Sequence, residues 1–225
     1  MIKPAKPARE NISPSDLTFG LSTCKRCLWI KYWFKVTMPG AFPLVGTMAA
    51  LQEEHFQGAD MPTIDPSLRA GKVTKWGEWV KSKPLVVNGV ETRWRILGKY
   101  DLVATNEDGT IGLIDCKVSD SQRDSGQFYS PQLEAYAYSL ENPAAGKSQS
   151  VASIGLLVWK PTTATGTTAD DYGFGVFQKY VPVERDQANF LKVIGEFIDV
   201  LEGELPDSGP DCQTCNYLVA RNALD

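Results

Sequence analysis

The clearest alternation of apolar and polar residues lies in the middle of the chain, between positions 83 and 119. Three or four short apolar segments there are separated by turn signals at Asn88-Gly89 and at residues 106–109. Asn-Gly and Asp-Gly pairs favour the tight turns of β-hairpins, and a period of two is typical of half-buried strands. This region therefore predicts an antiparallel meander.

Helical periodicity lies on both sides of the meander, where apolar residues recur every three to four positions. The predicted helices cover residues 13–23, 42–58, 125–142 and 185–205. Residues 59–83 lack a clear period, so we predict mostly loop there, with one short helix around residues 73–82. A continuous apolar segment at 150–161 predicts a central strand, and alternation at 172–184 predicts its neighbour.

Strands and helices in this order predict an α/β fold, with a central mixed β-sheet flanked by helices. A chain of 225 residues that is 43% apolar and 22% charged suits one domain of a soluble globular protein. We assign residues 15–225 to that domain and residues 1–14 to a flexible leader. No segment is apolar over the roughly 20 residues that cross a bilayer, and no secretory signal is evident, so we expect a cytoplasmic protein.

The net charge of the chain argues against one class of function. A formal charge of -4 does not suit a protein that coats nucleic acid through a broad basic face. It leaves room for an enzyme with a local basic groove, because a bound metal ion can supply positive charge at the site itself.

Two charged residues interrupt the apolar segment 111–118. Side chains alternate along a strand, so Asp115 and Lys117 share one face while Cys116 points to the opposite one. Asp101 precedes the turn that folds the chain back onto this strand, which brings two carboxylates and one ammonium together. Two neighbouring carboxylates repel each other unless a cation lies between them, and Mg²⁺ prefers such oxygen ligands. The alternative is a simple Asp115–Lys117 salt bridge on a solvated strand face.

The helix predicted at 125–142 carries Gln132 and Tyr136 four residues apart, hence on one face. Taken alone, this pair is more typical of an ordinary helix surface.

Four of the five cysteines form two CxxC pairs, Cys24 with Cys27 and Cys212 with Cys215. Four thiolates satisfy one tetrahedral Zn²⁺ ion or one [4Fe-4S] cluster, and the spacing alone does not choose between them. Since the pairs lie near opposite ends of the chain, a shared centre would join those ends and stabilise the whole fold.

The order of these motifs resembles the PD-(D/E)xK nuclease superfamily and, within it, the RecB-like exonucleases. In that pattern an Asp precedes a hairpin, a (D/E)xK triplet ends the next strand, and QxxxY opens the following helix. Asp101, Asp115-Cys116-Lys117, and Gln132 with Tyr136 match it, and the resemblance spans roughly residues 15–218. It implies a restriction-endonuclease-like core whose ends are joined by a metal centre.

The resemblance also implies a role for each matching residue. Asp101, Asp115 and the main-chain carbonyl of Cys116 would hold Mg²⁺ or Mn²⁺, and Lys117 would position or help deprotonate the attacking water. Gln132 and Tyr136 would orient the substrate strand or the waters at the metal. Cys24, Cys27, Cys212 and Cys215 would hold an iron-sulfur cluster of the [4Fe-4S] type.

The sequence departs from the family pattern in two places. RecB-like nucleases commonly carry a His ligand four residues after a Gly in an early helix, but here Ala50 follows Gly46 at that distance. The single His of the chain, His55, lies five residues further on, a rotation of about 140° around a helix. The usual arrangement of one early and three late cysteines is also replaced by two and two, which keeps Zn²⁺ as the alternative.

We therefore expect a metal-dependent DNA nuclease that cuts phosphodiester bonds from an end or on single strands. Basic and aromatic residues before the site could line a groove for DNA, although the tryptophans suit core packing equally well: Lys72, Lys75, Trp76, Trp79, Arg93, Trp94, Arg95 and Lys99. The alternative is a catalytically inactive nuclease fold that binds DNA or supports an assembly. A helicase or recombination partner fits either function.

Overall fold

A five-stranded mixed β-sheet lies at the centre of the protein, whose computed structural model describes residues 2–37, 44–119, 126–168 and 170–224. The strands are β1 (Asn11–Ile12), β2 (Gly71–Trp76), β3 (Trp79–Lys81), β4 (Val86–Val87), β5 (Val90–Glu91), β6 (Arg95–Lys99), β7 (Leu102–Asn106), β8 (Ile111–Val118), β9 (Val151–Thr165) and β10 (Gly173–Val183). The helices are α1 (Pro14–Thr23), α2 (Lys25–Phe34), α3 (Val45–His55), α4 (Met61–Ile64), α5 (Gly126–Glu141), α6 (Gln187–Glu202) and α7 (Gln213–Asn222).

The central sheet has the strand order β10-β9-β8-β7-β2. Only β8 and β9 are parallel, and the connection between them contains α5, as a parallel crossover requires. The other neighbours pair antiparallel. The predicted α/β class, with a mixed sheet flanked by helices, is confirmed.

The hairpin of β7 and β8 sets the position of the charged residues. Leu102 pairs with Ile114, and Gly109 takes a positive φ of 80° in the turn between the strands. Continuing that register by one residue places Asp101 opposite Asp115 at the open end of the hairpin. The turn signal at 106–109 is thus confirmed.

Alternating residues of β8 enter two different apolar clusters. Ile111 and Leu113 pack with buried residues of α5 such as Leu133, whereas Ile114 and Cys116 pack with Met61 on the other side of the sheet. Cys116 is buried in that second cluster, as the strand alternation predicts.

The helix predicted around residues 73–82 is wrong, and the loop predicted for the rest of residues 59–83 is correct only in part, as at residues 65–70. Residues 71–81 form two strands, β2 in the central sheet and β3 beside β6, separated by Gly77 at a φ of 58°. Each strand buries one central apolar side chain, Val73 or Val80, between exposed neighbours. Segments this short give too few alternations to reveal a strand period in the sequence.

The predicted meander is correct only in part. Asn88 and Gly89 have φ values of 52° and 78° and close the small β4–β5 hairpin, as their sequence indicates. β6, however, leaves the central sheet and pairs with β1 and β3. A separate layer results, because the chain between β6 and β7 turns at the site instead of continuing the sheet.

Some residues of the segment predicted as a flexible leader contact the rest of the protein, whereas Ile2 is exposed. β1 pairs parallel with β6, and Ile12 is fully buried. The ammonium of Lys3 donates to the carbonyls of residues 201–203 at the end of α6, where the helix dipole favours a cation. The segment therefore contacts both β6 and the C-terminal end of α6.

Helices lie where the sequence predicts them around α1, α3, α5 and α6. Three helices were not predicted from the sequence: the short α4, and α2 and α7, each of which begins at a CxxC pair. Among the described residues, no helix is both long and apolar enough to cross a membrane.

Candidate active site and four-cysteine centre

Asp115 is held between two side chains at the end of β8. Its Oδ1 accepts a hydrogen bond of 2.8 Å from Nε2 of Gln132 on α5. Its Oδ2 lies 2.5 Å from Nζ of Lys117, so the two side chains form a close ion pair. Asp115 is 3% exposed, so its carboxylate is enclosed by these groups and by the sheet. The structure thus brings three sequence-predicted residues into one contact network.

Asp101 approaches the same strand from the end of the hairpin. Its Oδ2 accepts a hydrogen bond of 2.6 Å from the main-chain N–H of Cys116. Burial raises the pKa of Asp101 to about 7, and the nearby Asp115 carboxylate adds to this rise. The Lys117 ammonium and the Cys116 N–H act in the opposite direction. The charges of Asp101 and Asp115 therefore influence each other.

The ammonium of Lys117 is held by negative charge and by an aromatic ring. Burial lowers the pKa of Lys117, but the contact with Asp115 outweighs it and the pKa is raised overall. Nζ also lies 5.0 Å from the ring centre of Tyr129, within the range of a cation–π contact. Lys117 is therefore a fixed cation in this structure.

Tyr136 lies beside the site but contacts it through the backbone. Its hydroxyl donates a hydrogen bond of 2.7 Å to the carbonyl of Lys99, and its ring packs against Gly98, where a Cβ atom would lie 2.8 Å from the ring. Tyr136 thus fixes the end of β6, two residues before Asp101. Gln132, by contrast, reaches a candidate catalytic carboxylate directly.

Glu53 on α3 is a residue that the sequence analysis missed. Its carboxylate lies 3.1 Å from Nζ of Lys99, and its negative charge contributes to the raised pKa of Asp101. Glu53 lies three residues after Ala50, hence on the same helix face as the position where RecB-like nucleases place their His. A search of that face for any metal-binding side chain could have found it.

His55 packs against aromatic side chains. Its exposed ring packs edge-on against Phe56 and Trp159, with ring centres 4.7 Å and 5.9 Å apart. The rotation around α3 inferred from the sequence accounts for this placement.

The four paired cysteines come from near the two ends of the chain and form one compact cluster in space. The Sγ–Sγ distances are 3.6 Å for Cys27–Cys212, 3.6 Å for Cys27–Cys215 and 3.9 Å for Cys24–Cys215. All four thiols are free. In the described ranges, they are the only group of three or more His, Cys, Asp or Glu side chains whose ligand atoms all lie within 4.8 Å of one another.

Local structure arranges both cysteine pairs in the same way. Cys24 and Cys212 are the N-caps of α2 and α7, and Cys27 and Cys215 follow in the first helical turn. The N–H groups of Gly209 and Cys215 lie 3.5 Å from sulfur atoms of the cluster. Burial raises the pKa of Cys24, but hydrogen bonds, first from Gly209, lower it overall to about 6. Burial and the neighbouring thiols raise the pKa of Cys27, and burial raises that of Cys215, so without a bound cation the cluster favours a thiolate at Cys24 alone.

The basic residues expected to line a groove are separated by the fold. Lys6, Lys81, Arg93 and Arg95 line a cavity of about 380 Å³ beside β6. Trp94 is fully buried and donates its indole N–H to Glu202, so it is a core residue. Trp79 is exposed, as is Lys72.

Comparison with known proteins places these features in a family. No curated protein matches the sequence. Among solved structures, 17 chains match; one, described as "Crystal structure of SSO0001", shares 14% identity with a TM-score of 0.49 over 97% of this chain and 87% of its own. The family model of the PD-(D/E)XK nuclease superfamily matches residues 46–220, which contain Asp101, Asp115 and Lys117. The chain belongs to the PD-(D/E)XK nuclease superfamily.

Proposed function

We propose that this protein is a metal-dependent DNA nuclease that hydrolyses phosphodiester bonds from an end or on single strands. The observation that carries the proposal is the network at the end of β8, where Asp115 is held by Lys117 and Gln132 next to Asp101. Membership of a nuclease superfamily supports a nucleic-acid substrate.

The side chains at this point fit a hard divalent cation. Gln132 Oε1 is a buried oxygen for which the described residues provide no hydrogen-bond partner, and burial near a second carboxylate raises the pKa of Asp101. A cation would satisfy oxygen atoms of this kind and remove the repulsion between the carboxylates. We assign Mg²⁺ or Mn²⁺ to Asp101 and Asp115, with Glu53 as a further acidic residue on the same side.

The main-chain carbonyl of Cys116 is the third proposed ligand. In an extended strand, the N–H and C=O of one residue point to the same side. Since the N–H of Cys116 donates to Asp101, its carbonyl is expected on that side too, beyond the last β7–β8 pair. The Cys116 thiol packs in the core and takes no part.

Each remaining side chain has a role that follows from its contacts. A bound metal supplies Lewis acidity at the phosphate and a lowered pKa for water. Lys117 carries a fixed positive charge close to Asp115, which suits it to position the water nucleophile and to stabilise charge that develops on the phosphate. Its raised pKa makes it a poor proton acceptor. Gln132 orients Asp115, and Tyr136 holds the backbone that carries Asp101.

The decisive experiment incubates the purified protein with end-labelled single-stranded and double-stranded DNA, plus an RNA strand, in Mg²⁺ or Mn²⁺. We expect Asp115→Ala and Lys117→Ala to lower the cleavage rate by roughly 100-fold or more. Glu196→Ala and Lys147→Ala change exposed residues away from the network and should retain the wild-type rate. Equal rates for the wild type and both active-site variants would refute the nuclease function.

An inactive DNA-binding or assembly subunit is the alternative, and Ala50 at the position of the family's His favours it. DNA that is bound but left intact by the wild type would support this alternative. A helicase or recombination factor remains the proposed type of partner for either function, and a cytoplasmic location is consistent with the free thiols.

For the four cysteines we propose a single Zn²⁺ ion in preference to the [4Fe-4S] cluster that the family resemblance implies. Zn–S bonds of about 2.3 Å in a tetrahedron separate the sulfurs by roughly 3.8 Å. Three of the sulfur pairs lie 3.6–3.9 Å apart, and all four sulfurs lie within 4.8 Å of one another. A [4Fe-4S] cluster binds one cysteine per iron and spreads the sulfurs further apart.

Metal analysis of protein purified without air tests this proposal. We expect about one zinc per chain and no visible absorption, with the zinc lost in Cys27→Ser. A brown sample with about four irons per chain would instead establish the cluster.

A further inference from the structure

Three aromatic side chains form a continuous patch beside the candidate active site, and we call Phe19, Phe128 and Tyr129 the aromatic patch. Phe19 lies on α1, and the other two lie in the first turn of α5. The ring centres are 5.3 Å apart for Phe19–Phe128, 6.0 Å for Phe19–Tyr129 and 5.1 Å for Phe128–Tyr129. All three pairs meet edge to face, so the rings support one another.

The patch is exposed although it is apolar. Phe19 is 43% exposed and Phe128 is 48% exposed. A phenylalanine side chain has no polar atom that would favour contact with water, and adjacent exposed aromatic rings commonly mark a binding surface. Packing within the protein therefore accounts for only half of their surface.

The patch is continuous with the catalytic network. Tyr129 is its inner member, and its ring lies under the ammonium of Lys117, which in turn contacts Asp115. A ligand on the patch would thus place its neighbouring groups at Lys117 and the carboxylates. Flat apolar rings next to a fixed cation are complementary to a nucleobase joined to a phosphate.

We propose that the aromatic patch stacks an unpaired nucleobase of the substrate strand and so directs the enzyme to single-stranded DNA or frayed ends. Bases in a duplex stack on their neighbours and must be extracted before a protein can contact their faces. This inference rests on the proposed nuclease function for its biological meaning, but its binding test does not require cleavage.

The test measures fluorescence anisotropy of a labelled oligothymidylate and of an abasic strand of equal length. The protein carries Asp115→Ala, so that the strands stay intact. Removal of one stacking ring, by Phe128→Ala or Phe19→Ala, should weaken oligothymidylate binding by roughly 5- to 100-fold. Binding of the abasic strand should be weak and unaffected by either change.

Three further variants separate stacking from structure. Phe128→Trp keeps an aromatic face and should restore affinity, whereas Phe128→Leu keeps apolar volume without that face and should stay weak. Phe174→Ala removes a ring that is 73% exposed on β10 and serves as the matched control, with unchanged affinity expected. If an alanine variant fails to fold, as judged by its melting curve, the Leu and Trp variants decide the result.

If the protein with an unsubstituted patch binds the oligothymidylate and the abasic strand with equal affinity, the inference is overturned. The patch would then be a candidate binding surface for a protein partner. The same holds if Phe128→Ala and Phe128→Leu both bind as tightly as the parent. If the wild type cuts no DNA but the alanine variants still bind the oligothymidylate more weakly, the nuclease function is refuted while the stacking role of the aromatic patch is supported. With Asp115 intact, Phe128→Ala should raise the KM for single strands more than it lowers kcat, because stacking stabilises substrate and transition state alike.

Discussion

At the scale of single residues, Glu53 extends the candidate site beyond the sequence motif. Glu53 lies on the same face of α3 as Ala50, which has no metal-binding side chain. Its negative charge contributes to the raised pKa of Asp101. A carboxylate at this point would compensate for the missing His by offering an oxygen where the family has a nitrogen.

Glu53→Gln should therefore lower cleavage by roughly 10- to 100-fold and raise the Mg²⁺ concentration needed for half-maximal rate. The matched control is Glu54→Gln, which changes the exposed neighbour on the same helix. Metal titrations of the cleavage rate would check this. Identical titration curves for the two variants would exclude a role for Glu53.

The raised pKa of Asp101 gives a pH dependence with a defined sign. A carboxyl whose pKa is about 7 in the folded state binds its proton more tightly than in the unfolded chain, where the pKa is about 3.8. In protein free of divalent metal, its contribution to stability is full below about pH 4 and is lost as the pH rises towards 7.

Asp101→Asn should remove this pH-dependent loss of stability. The variant should have a higher free energy of unfolding than the wild type near pH 7, and the difference should be smaller near pH 4. Urea unfolding at several pH values measures the difference. A difference that is constant with pH would contradict the assignment.

Strand alternation predicted the directions of Asp115, Cys116 and Lys117 correctly, because a period of two leaves no freedom once the strand is identified. It could not predict Glu53 or the Tyr136–Lys99 hydrogen bond. Those contacts depend on how α3 and α5 dock against the sheet, and one sequence carries no direct signal of distances between elements.

At the scale of elements, a buried ion-pair network joins α5 to the segment before α6. Nε of Arg185 donates to both carboxylate oxygens of Glu134 at 3.0 Å, and the guanidinium also contacts Glu141 and the carbonyl of Val151. Glu134 is 1% exposed, so its charge depends on Arg185 for compensation. The network fixes α5, and with it Gln132.

Arg185→Ala should lower the free energy of unfolding by about 3–5 kcal/mol, because it leaves a buried carboxylate unpaired. Lys192→Ala removes an exposed cation from α6 and should change it little. Denaturant unfolding compares the two. Glu134→Gln added to Arg185→Ala should recover part of the loss, and the absence of recovery would show that packing, not charge, causes the effect.

Long, strongly periodic elements such as α6 and β8 could be predicted from sequence because many residues repeat the same signal. The strands β2 and β3 could not be predicted from sequence. Each buries a single valine, and the packing of that valine against other elements decides that the segment is a strand. The separation of β6 from the central sheet is likewise a tertiary property.

At the scale of the whole molecule, the four-cysteine centre joins the start of α2 to the start of α7. None of the residues of α7 is buried, so the cysteines supply its main attachment to the body. We propose that residues 15–225 fold as a single domain closed by this centre.

Removal of the metal should lower the melting temperature by roughly 5 °C or more and expose residues 213–222 to proteolysis. Cys27→Ser should reproduce both effects, because Cys27 contacts both late cysteines. A chelator added to Cys27→Ser should then cause no further change. A stable wild type after complete metal loss would show that the centre does not support the fold.

Cys27 and Cys212 are separated by 185 positions, which gives their contact a consequence for the order of folding. Thiolates this distant meet only after the intervening sheet and helices have brought the two ends together, since closing so long a loop in a disordered chain is entropically costly. During synthesis on the ribosome, the first pair must wait, free and reactive, until the second emerges from the exit tunnel. Metal capture would therefore require that both cysteine pairs have been synthesised and that the fold between them has formed.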